Sequence, residues 1–98
     1  MAYELKLTKE AKNDFRSMFN YYLGETQDVK YTEKIVQDIR ANIEFLKSFP
    51  YRYPAPNPED QSIRVMYYKR YAVLYEVLHD SVVILSIKHT SINSEGQE

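Results

Sequence analysis

The fold of this chain is decided by residues 62–89, SIRVMYYKRYAVLYEVLHDSVVILSIKH. β-Branched and aromatic residues, which favour strands, dominate three runs within this stretch, at 63–67, 71–78 and 82–89. Only three residues separate each run from the next, and connections that short allow hairpins but not parallel crossovers. The stretch therefore predicts a three-stranded antiparallel β-meander.

Alternate residues of a strand point to opposite faces of the sheet, so the meander has two different faces. The face predicted to be apolar carries Tyr71, Val73, Tyr75 and Val77, together with Val83, Leu85, Ile87 and His89. The other face is mixed and carries Ala72, Leu74, Glu76, Ile84, Ser86 and Lys88. We expect helices to cover the apolar face, which leaves the mixed face open to solvent or to a target.

The residues before the meander predict one strand and two helices. A two-residue alternation indicates a strand at 3–7, and Thr8 and Asp28 are suitable N-caps for helices at 9–23 and 29–48. Gly24 suits the left-handed position just beyond a helix end. Both helices carry an apolar stripe with a helical period, and their short connection predicts an antiparallel hairpin that packs on the sheet.

The remaining segments predict a linker and a tail. All four prolines lie within 49–61, which predicts an extended linker over 49–54. Residues 90–98 are polar, and we expect a flexible tail there. The order of elements predicts a single α+β domain, 1–98, with a helical hairpin on one face of an antiparallel sheet.

Composition excludes several classes of protein. Cysteine is absent, which excludes disulfides and thiolate metal sites, and two glycines do not make a phosphate-binding loop. The chain has neither a secretory signal nor an apolar run of membrane-spanning length, so we expect a cytoplasmic protein that does not enter membranes. A net charge of −1 and a pI near 6.1 disfavour extensive contact with nucleic acid, although they allow a local basic patch.

Few residues of the chain suggest chemistry, and no pattern indicates a metal or a cofactor. His79 and His89 are ten residues apart and lack a metal-ligand spacing. His89 suits either a general acid or base or a hydrogen-bonded packing residue. The other candidates on or beside the meander form either a basic patch or an ordinary solvated surface: Arg64, Lys69, Arg70, Glu76 and Lys88. The ten tyrosines suit an interface or a half-buried rim.

The order of elements and several segments resemble the RelE/ParE superfamily of toxins from type II toxin–antitoxin systems, also known as plasmid stabilisation proteins. The resemblance covers nearly the whole chain. Its segments are 3–8 with Ala11, Asp14 and Phe15, Tyr21-Tyr22, 43–46 with Phe49-Pro50, 63–66, 71–77 and 83–89. Each segment is degenerate, but their order and spacing together are specific.

The superfamily contains two functional branches. RelE-like members are ribosome-dependent mRNA endonucleases and place an arginine after the first tyrosine of the central strand, where this chain has Ala72. Arg64 and the His89 that ends the last strand look more like the ParE branch, whose members act by binding, DNA gyrase being the best-known target. The resemblance therefore implies a growth inhibitor that binds an essential target protein. The alternatives are a ribosome-dependent mRNA endonuclease that uses Arg64, Lys88 and His89, or a degenerate toxin that retains only antitoxin binding.

The resemblance also implies partners and contact residues. Target binding is assigned to Arg64, Lys69, Arg70, Lys88 and His89. A cognate antitoxin, disordered until it binds, would lay a helix on the helical hairpin or add a strand to a sheet edge. Its predicted contacts on the hairpin are Phe19, Tyr22, Tyr31, Arg40, Phe45 and Lys47. Operator DNA would be bound only through the antitoxin.

Overall fold

The computed structural model describes residues 3–90 and confirms the predicted order of elements. The elements are β1 (Glu4–Leu7), α1 (Lys9–Thr26), α2 (Val29–Glu44) with a 3₁₀ turn at Phe45–Lys47, β2 (Ile63–Tyr68), β3 (Tyr71–Val77) and β4 (Ser81–His89). The predicted tail at 90–98 lies outside the described residues except for Thr90.

The four strands form one sheet in the order β1-β4-β3-β2. The pairs β2–β3 and β3–β4 are antiparallel, which confirms the meander, but β1 pairs with β4 in parallel. The prediction of a wholly antiparallel sheet is therefore wrong at β1. Short turns restrict only the direction of neighbouring hairpin strands, whereas β1 and β4 are separated by most of the chain and can pair in either direction.

A bulge in β4 changes which of its residues enter the core. Leu74 pairs with Ser86, but Tyr75 pairs with Ile84, so Leu85 is the extra residue. As a result, Val82, Ile84 and Ile87 are buried. The predicted inward positions of Val83 and Leu85 are wrong because a strict two-residue count does not hold across a bulge, while Ile87 beyond the bulge lies in the core as predicted.

The helix starts agree with the sequence, but the end of α1 does not. The Thr8 hydroxyl accepts a hydrogen bond from Ala11 N at 3.1 Å, and Asp28 accepts one from Tyr31 N at 3.0 Å, so both N-caps are confirmed. Helix α1 continues through Gly24, and Gln27 takes the left-handed conformation with φ 56°. Gln27 N donates to Leu23 O at 2.8 Å, which satisfies one of the last carbonyls beyond the predicted end.

Helix α2 ends at Glu44 and tightens into the 3₁₀ turn, so the predicted helix to residue 48 is correct except for its last turn. One core lies between the helices and the sheet, as the apolar stripes predict. Its buried members are Ala11, Phe15, Met18, Ile39, Ile43, Leu46, Met66, Tyr71, Val73, Tyr75, Val77, Val82, Ile84 and Ile87.

The proline-rich loop between α2 and β2 is folded against the sheet. Its backbone turns at Pro50 and Tyr51 and bends again at the next two residues, so the prediction of an extended run over 49–54 is wrong. The hydroxyl of buried Tyr75 donates to Pro50 O at 2.7 Å, and Val65 N donates to Pro54 O at 3.2 Å. These hydrogen bonds hold the loop against β2 and β3.

Candidate functional site

A cavity of about 270 Å³ lies between the end of α1, the start of α2 and the β2–β3 turn. We name it the tip cleft. It is lined by Tyr22, Tyr31, Lys34, Ile35, Asp38, Ile39, Tyr68, Lys69, Arg70 and Tyr71. The cleft therefore joins residues that the sequence assigned to two different partners, since Tyr22 and Tyr31 were predicted antitoxin contacts and Lys69 and Arg70 predicted target contacts.

The β2–β3 turn carries two cations at the rim of the tip cleft. Tyr68 pairs with Tyr71, so the turn contains only Lys69 and Arg70 instead of the three residues predicted. Lys69 has φ 54°, a left-handed conformation that costs a non-glycine residue about 1–2 kcal/mol. Strain of this kind persists where the surrounding structure fixes it and is frequent at functional sites.

The electrostatics of the tip cleft favour an anionic group. Within residues 3–90, neither Lys69 nor Arg70 forms an ion pair, while Lys34 pairs with Asp38 at 3.5 Å on the exposed surface. Burial raises the pKa of Tyr71, and the neighbouring Tyr22 raises it further, so this phenol stays protonated at neutral pH. The cleft thus combines two available cations with phenol hydroxyls and aromatic rings, a combination that suits charged peptide segments.

His89 lies at the same end of the sheet as the tip cleft. It pairs with Tyr71 across β3 and β4, and the two rings make an edge-to-face contact with centroids 5.1 Å apart. The ring of Tyr71 in turn lies 6.4 Å from that of Tyr22. His89 is half-buried and packs on an aromatic side chain, close to the two cations of the turn.

Lys88 lies on the other side of β4 and faces two carboxylates of α1. Its Nζ is 2.9 Å from Asp14 Oδ1 and 3.1 Å from Glu10 Oε2. The hydrogen bonds to Asp14 and Glu10 raise the pKa of Lys88, so the ammonium is charged and its charge is balanced within the protein. A cation held in this way is less able to bind an external phosphate.

Arg64 is buried and enclosed by the proline-rich loop. Its guanidinium donates to Tyr53 O at 2.7 Å, to Gln61 O at 2.9 Å and to Tyr51 O at 3.3 Å. A fourth hydrogen bond reaches Gln61 Oε1 at 3.0 Å. Arg64 pairs with Tyr75 in the sheet, five residues before Lys69, so the structure does not bring it to the tip cleft.

The predicted antitoxin contacts lie on two faces of α2, since Tyr31 and Arg40 are nine residues apart and therefore on opposite sides of the helix. Phe19 and Arg40 line a groove of about 470 Å³ between the two helices, together with Val36, Ala41 and Glu44 among others. Tyr22 and Tyr31 line the tip cleft, which shares no lining residue with this groove. Phe45 is half-exposed directly after the last residue of α2, and Lys47 in the same 3₁₀ turn pairs with Glu44 at 3.1 Å.

An exposed aromatic cluster beside Phe45 was not predicted from the sequence. Phe45, Phe49, Pro50, Tyr51 and Arg52 line a cavity of about 520 Å³, which we name the aromatic pocket. Phe49 and Tyr51 are each more than half exposed. The sequence signal for this cluster is the alternation of aromatic residues with prolines at 49–54, a pattern that also fits an extended linker.

The described part of the chain contains neither a metal-binding cluster nor a membrane-spanning helix. Across residues 3–90, no group of three or more histidine, aspartate or glutamate side chains is placed to hold a metal ion. No helix in the same range is long and apolar enough to cross a membrane.

Solved structures share this fold, and two of them are of toxin–antitoxin systems. The chromosomal ParDE toxin–antitoxin system of P. aeruginosa matches with a TM-score of 0.77 at 20% identity, over 90% of this chain and 96% of the other. The RelBE2 toxin–antitoxin complex of Mycobacterium tuberculosis matches with a TM-score of 0.67 at 19% identity, over 91% and 92%. A conserved hypothetical protein of Helicobacter pylori matches with a TM-score of 0.53 at 20% identity, over 91% and 96%.

The amino-acid sequence shows to which family the chain belongs. Residues 5–93 match the family of ParE toxins of type II toxin–antitoxin systems, parDE. The chain belongs to this toxin family, which confirms the resemblance and its closeness to the ParE branch. A comparison with curated proteins returned no matching sequence.

Proposed function

We propose that this toxin stops growth by binding an essential cellular protein, of which DNA gyrase is the first candidate, and that a cognate antitoxin neutralises it. The observation that supports binding over catalysis is that the side chains of the three catalytic candidates are engaged in different parts of the structure. Arg64 is on the helix-facing side of β2 and is enclosed by the proline-rich loop. Lys88 pairs with carboxylates of α1, and His89 packs on Tyr71.

Ribosome-dependent RNA cleavage requires a different arrangement. A nuclease needs cations at the scissile phosphate and a group that moves the 2′-hydroxyl proton, all within reach of the same atoms. Here the charge of Lys88 is balanced by Asp14 and Glu10, and Arg64 donates to loop carbonyls. Ala72, directly after the first tyrosine of β3, cannot supply a charge. These features favour occupancy of a target as the mechanism.

Target binding is assigned to the tip cleft. Lys69 and Arg70 are exposed there, without an ion pair in the described range, and four tyrosines surround them. Tyrosine and arginine are the residues that most often carry binding energy in protein interfaces. Of the predicted target-binding residues, three therefore share one end of the sheet: Lys69, Arg70 and His89. Arg64 and Lys88 do not belong to this group.

The antitoxin is assigned to α2 and to Phe45 directly after it. The two solved toxin–antitoxin systems that share this fold carry an antitoxin, and we propose the same partnership here. We name the stretch from Tyr31 in α2 to Phe45 in the 3₁₀ turn the antitoxin track. Its two ends are fourteen residues apart, which is about 21 Å along the helix axis. A segment that lies along this track reaches the tip cleft and covers Lys69 and Arg70. Neutralisation then follows from occlusion of the target-binding cations.

The test is expression of the chain in bacteria with and without the small protein encoded beside its gene. We expect growth arrest alone and rescue by co-expression. The purified toxin should inhibit DNA supercoiling by gyrase and leave mRNA on translating ribosomes uncut. Codon-specific cleavage that disappears in His89→Ala would contradict the binding mechanism and support the endonuclease alternative. Normal growth at high expression would leave the degenerate toxin as the remaining reading.

A further inference from the structure

The aromatic pocket carries a group of exposed aromatic side chains directly after the C-terminal end of α2. Phe45, Phe49 and Tyr51 are 50%, 53% and 54% exposed, and the rings of Phe45 and Phe49 meet edge to face at 5.3 Å. Single exposed aromatic residues are common, but a contiguous group with a cavity between its members marks an interaction site.

Buried residues hold the aromatic pocket in one shape. The Arg64 guanidinium binds the carbonyls of Tyr51 and Tyr53 and lies 4.7 Å from the centre of the Tyr51 ring. The Tyr75 hydroxyl binds Pro50 O at 2.7 Å. A loop fixed in this way loses little conformational entropy when a partner binds, so its exposed rings are available for recognition at low cost.

The exposed area limits what can occupy the pocket. Aromatic side chains bury roughly 150–250 Å² each, so three half-exposed rings offer on the order of 300 Å². A stable dimer needs about 800 Å² from each partner, so a second copy of this chain finds too little surface here. The cavity of about 520 Å³ instead suits one or two large apolar side chains of a short segment.

Arg52 places a positive charge at the rim of the aromatic pocket, so a partner with a negative charge is favoured. Its guanidinium lies 5.5 Å from the centre of the Phe45 ring and 5.7 Å from that of Tyr53. Among the described residues Arg52 forms no ion pair. A carboxylate from a partner can therefore reach the cation at the rim while an apolar neighbour enters the pocket.

We propose that the aromatic pocket binds the antitoxin through a large apolar side chain that is adjacent in sequence to an aspartate or glutamate. This inference rests on the proposed antitoxin partnership and deepens it. Phe45 belongs both to the predicted antitoxin track and to the pocket, so the pocket extends the track beyond the C-terminal end of α2. The antitoxin segment is then anchored at the aromatic pocket and covers the tip cleft at its other end.

The experiment measures the affinity of purified toxin variants for the neighbouring gene's product that rescues growth. Phe49→Ala should weaken binding by about tenfold or more, as expected for an interface anchor. Arg52→Glu should weaken it by a similar factor, and only this loss should diminish as salt is raised. Tyr67→Ala is the matched control, because Tyr67 is 67% exposed on the mixed face of the sheet and should change affinity less than twofold.

The outcomes separate this inference from the proposed function. If Phe49→Ala and Arg52→Glu bind normally while Arg40→Glu on the helical groove binds weakly, the antitoxin uses α2 without the aromatic pocket, and the inference is overturned alone. If no neighbouring product binds or rescues, the antitoxin partnership fails and the inference fails with it. Circular dichroism of both exposed-site variants establishes that the fold is retained.

Discussion

Asp14 on α1 holds Lys88 on β4: its Oδ1 accepts a hydrogen bond from Lys88 Nζ at 2.9 Å, and its Oδ2 accepts one from Ile87 N at 2.8 Å. The contact lies where β1 has ended, because the last β1–β4 pair is Leu7 with Ile84. Asp14 therefore replaces the missing neighbour strand at this edge of β4. The same contact neutralises a cation that the sequence assigned to target binding or catalysis.

Removal of this carboxylate should destabilise the fold. Asp14 is 11% exposed in its side chain, so Asp14→Ala leaves Ile87 N without its acceptor and should lower the free energy of unfolding by about 1–3 kcal/mol. Glu10→Ala is the matched control, since Glu10 binds the same lysine from a side chain that is 60% exposed. Such a surface pair should contribute less than about 1 kcal/mol. Urea titration measures both, and equal losses would contradict the role of Asp14 at the edge.

Stability should decrease in alkaline solution because the buried Tyr75 resists ionisation. Burial raises the pKa of Tyr75 from its ordinary 10.0 to about 12, although nearby Arg64 opposes the shift. The folded state thus holds this proton more tightly than the unfolded state, so its contribution is complete below pH 10 and is lost as the pH rises towards 12. Lys88, whose pKa is also raised, adds to the loss above its ordinary 10.5.

The check is the melting temperature of wild type and Tyr75→Phe between pH 7 and pH 11.5. Tyr75→Phe should melt lower at pH 7, because Pro50 O loses its hydrogen-bond donor. Its further decrease above pH 10 should be smaller than that of wild type, since one raised pKa has been removed. Parallel curves for the two proteins would show that ionisation of Tyr75 does not limit stability.

The elements of this fold could be predicted from the sequence because each has a local cause. The caps at Thr8 and Asp28 and the hairpins of the meander depend on residues within a few positions of one another. The bulge at Leu85 and the parallel pairing of β1 could not, because both depend on contacts between distant segments. A two-residue period predicts the faces of a regular strand and fails beyond an inserted residue.

The candidate site was predictable in part for the same reason. Lys69 and Arg70 are exposed because they occupy a turn, which the sequence indicated. The burial of Arg64 and the neutralisation of Lys88 depend on a loop and a helix that the chain brings together only in the folded state. The residue types alone therefore predict a larger basic patch than the folded chain presents.

Gly24 should be replaceable with a gain in stability. It lies inside α1, and a Cβ added there would meet no atom within 4 Å. Alanine loses less backbone entropy in a helix, so Gly24→Ala should raise the free energy of unfolding by about 0.5–1 kcal/mol. Chemical denaturation measures the gain. A decrease would indicate that residue 24 takes the left-handed position just beyond a shorter helix.

Substitution of Gln27 by glycine should stabilise the fold, whereas glycine at an ordinary helical position destabilises it. Its φ of 56° is a conformation that glycine adopts without strain. Gln27→Gly should therefore raise the free energy of unfolding by up to about 1 kcal/mol, because the relief of strain exceeds the entropy cost of glycine. Gln27→Ala is the control, because it shortens the side chain and keeps the strain. Thermal melts of the pair isolate the backbone effect.

Lys69 offers a test in which stability and toxicity change in opposite directions. Its φ of 54° in the β2–β3 turn is strained, so Lys69→Gly should stabilise the fold by about 1 kcal/mol. The same change removes a cation from the tip cleft and should reduce growth inhibition, because an inhibitor that acts by occupancy loses potency with affinity, tenfold for about 1.4 kcal/mol. A stabilised protein that is less toxic cannot owe its loss to unfolding. Lys30→Ala, an exposed lysine in the first turn of α2, should leave both properties unchanged. If Lys69→Gly retains full toxicity while Arg70→Ala does as well, the target contacts lie elsewhere on the sheet.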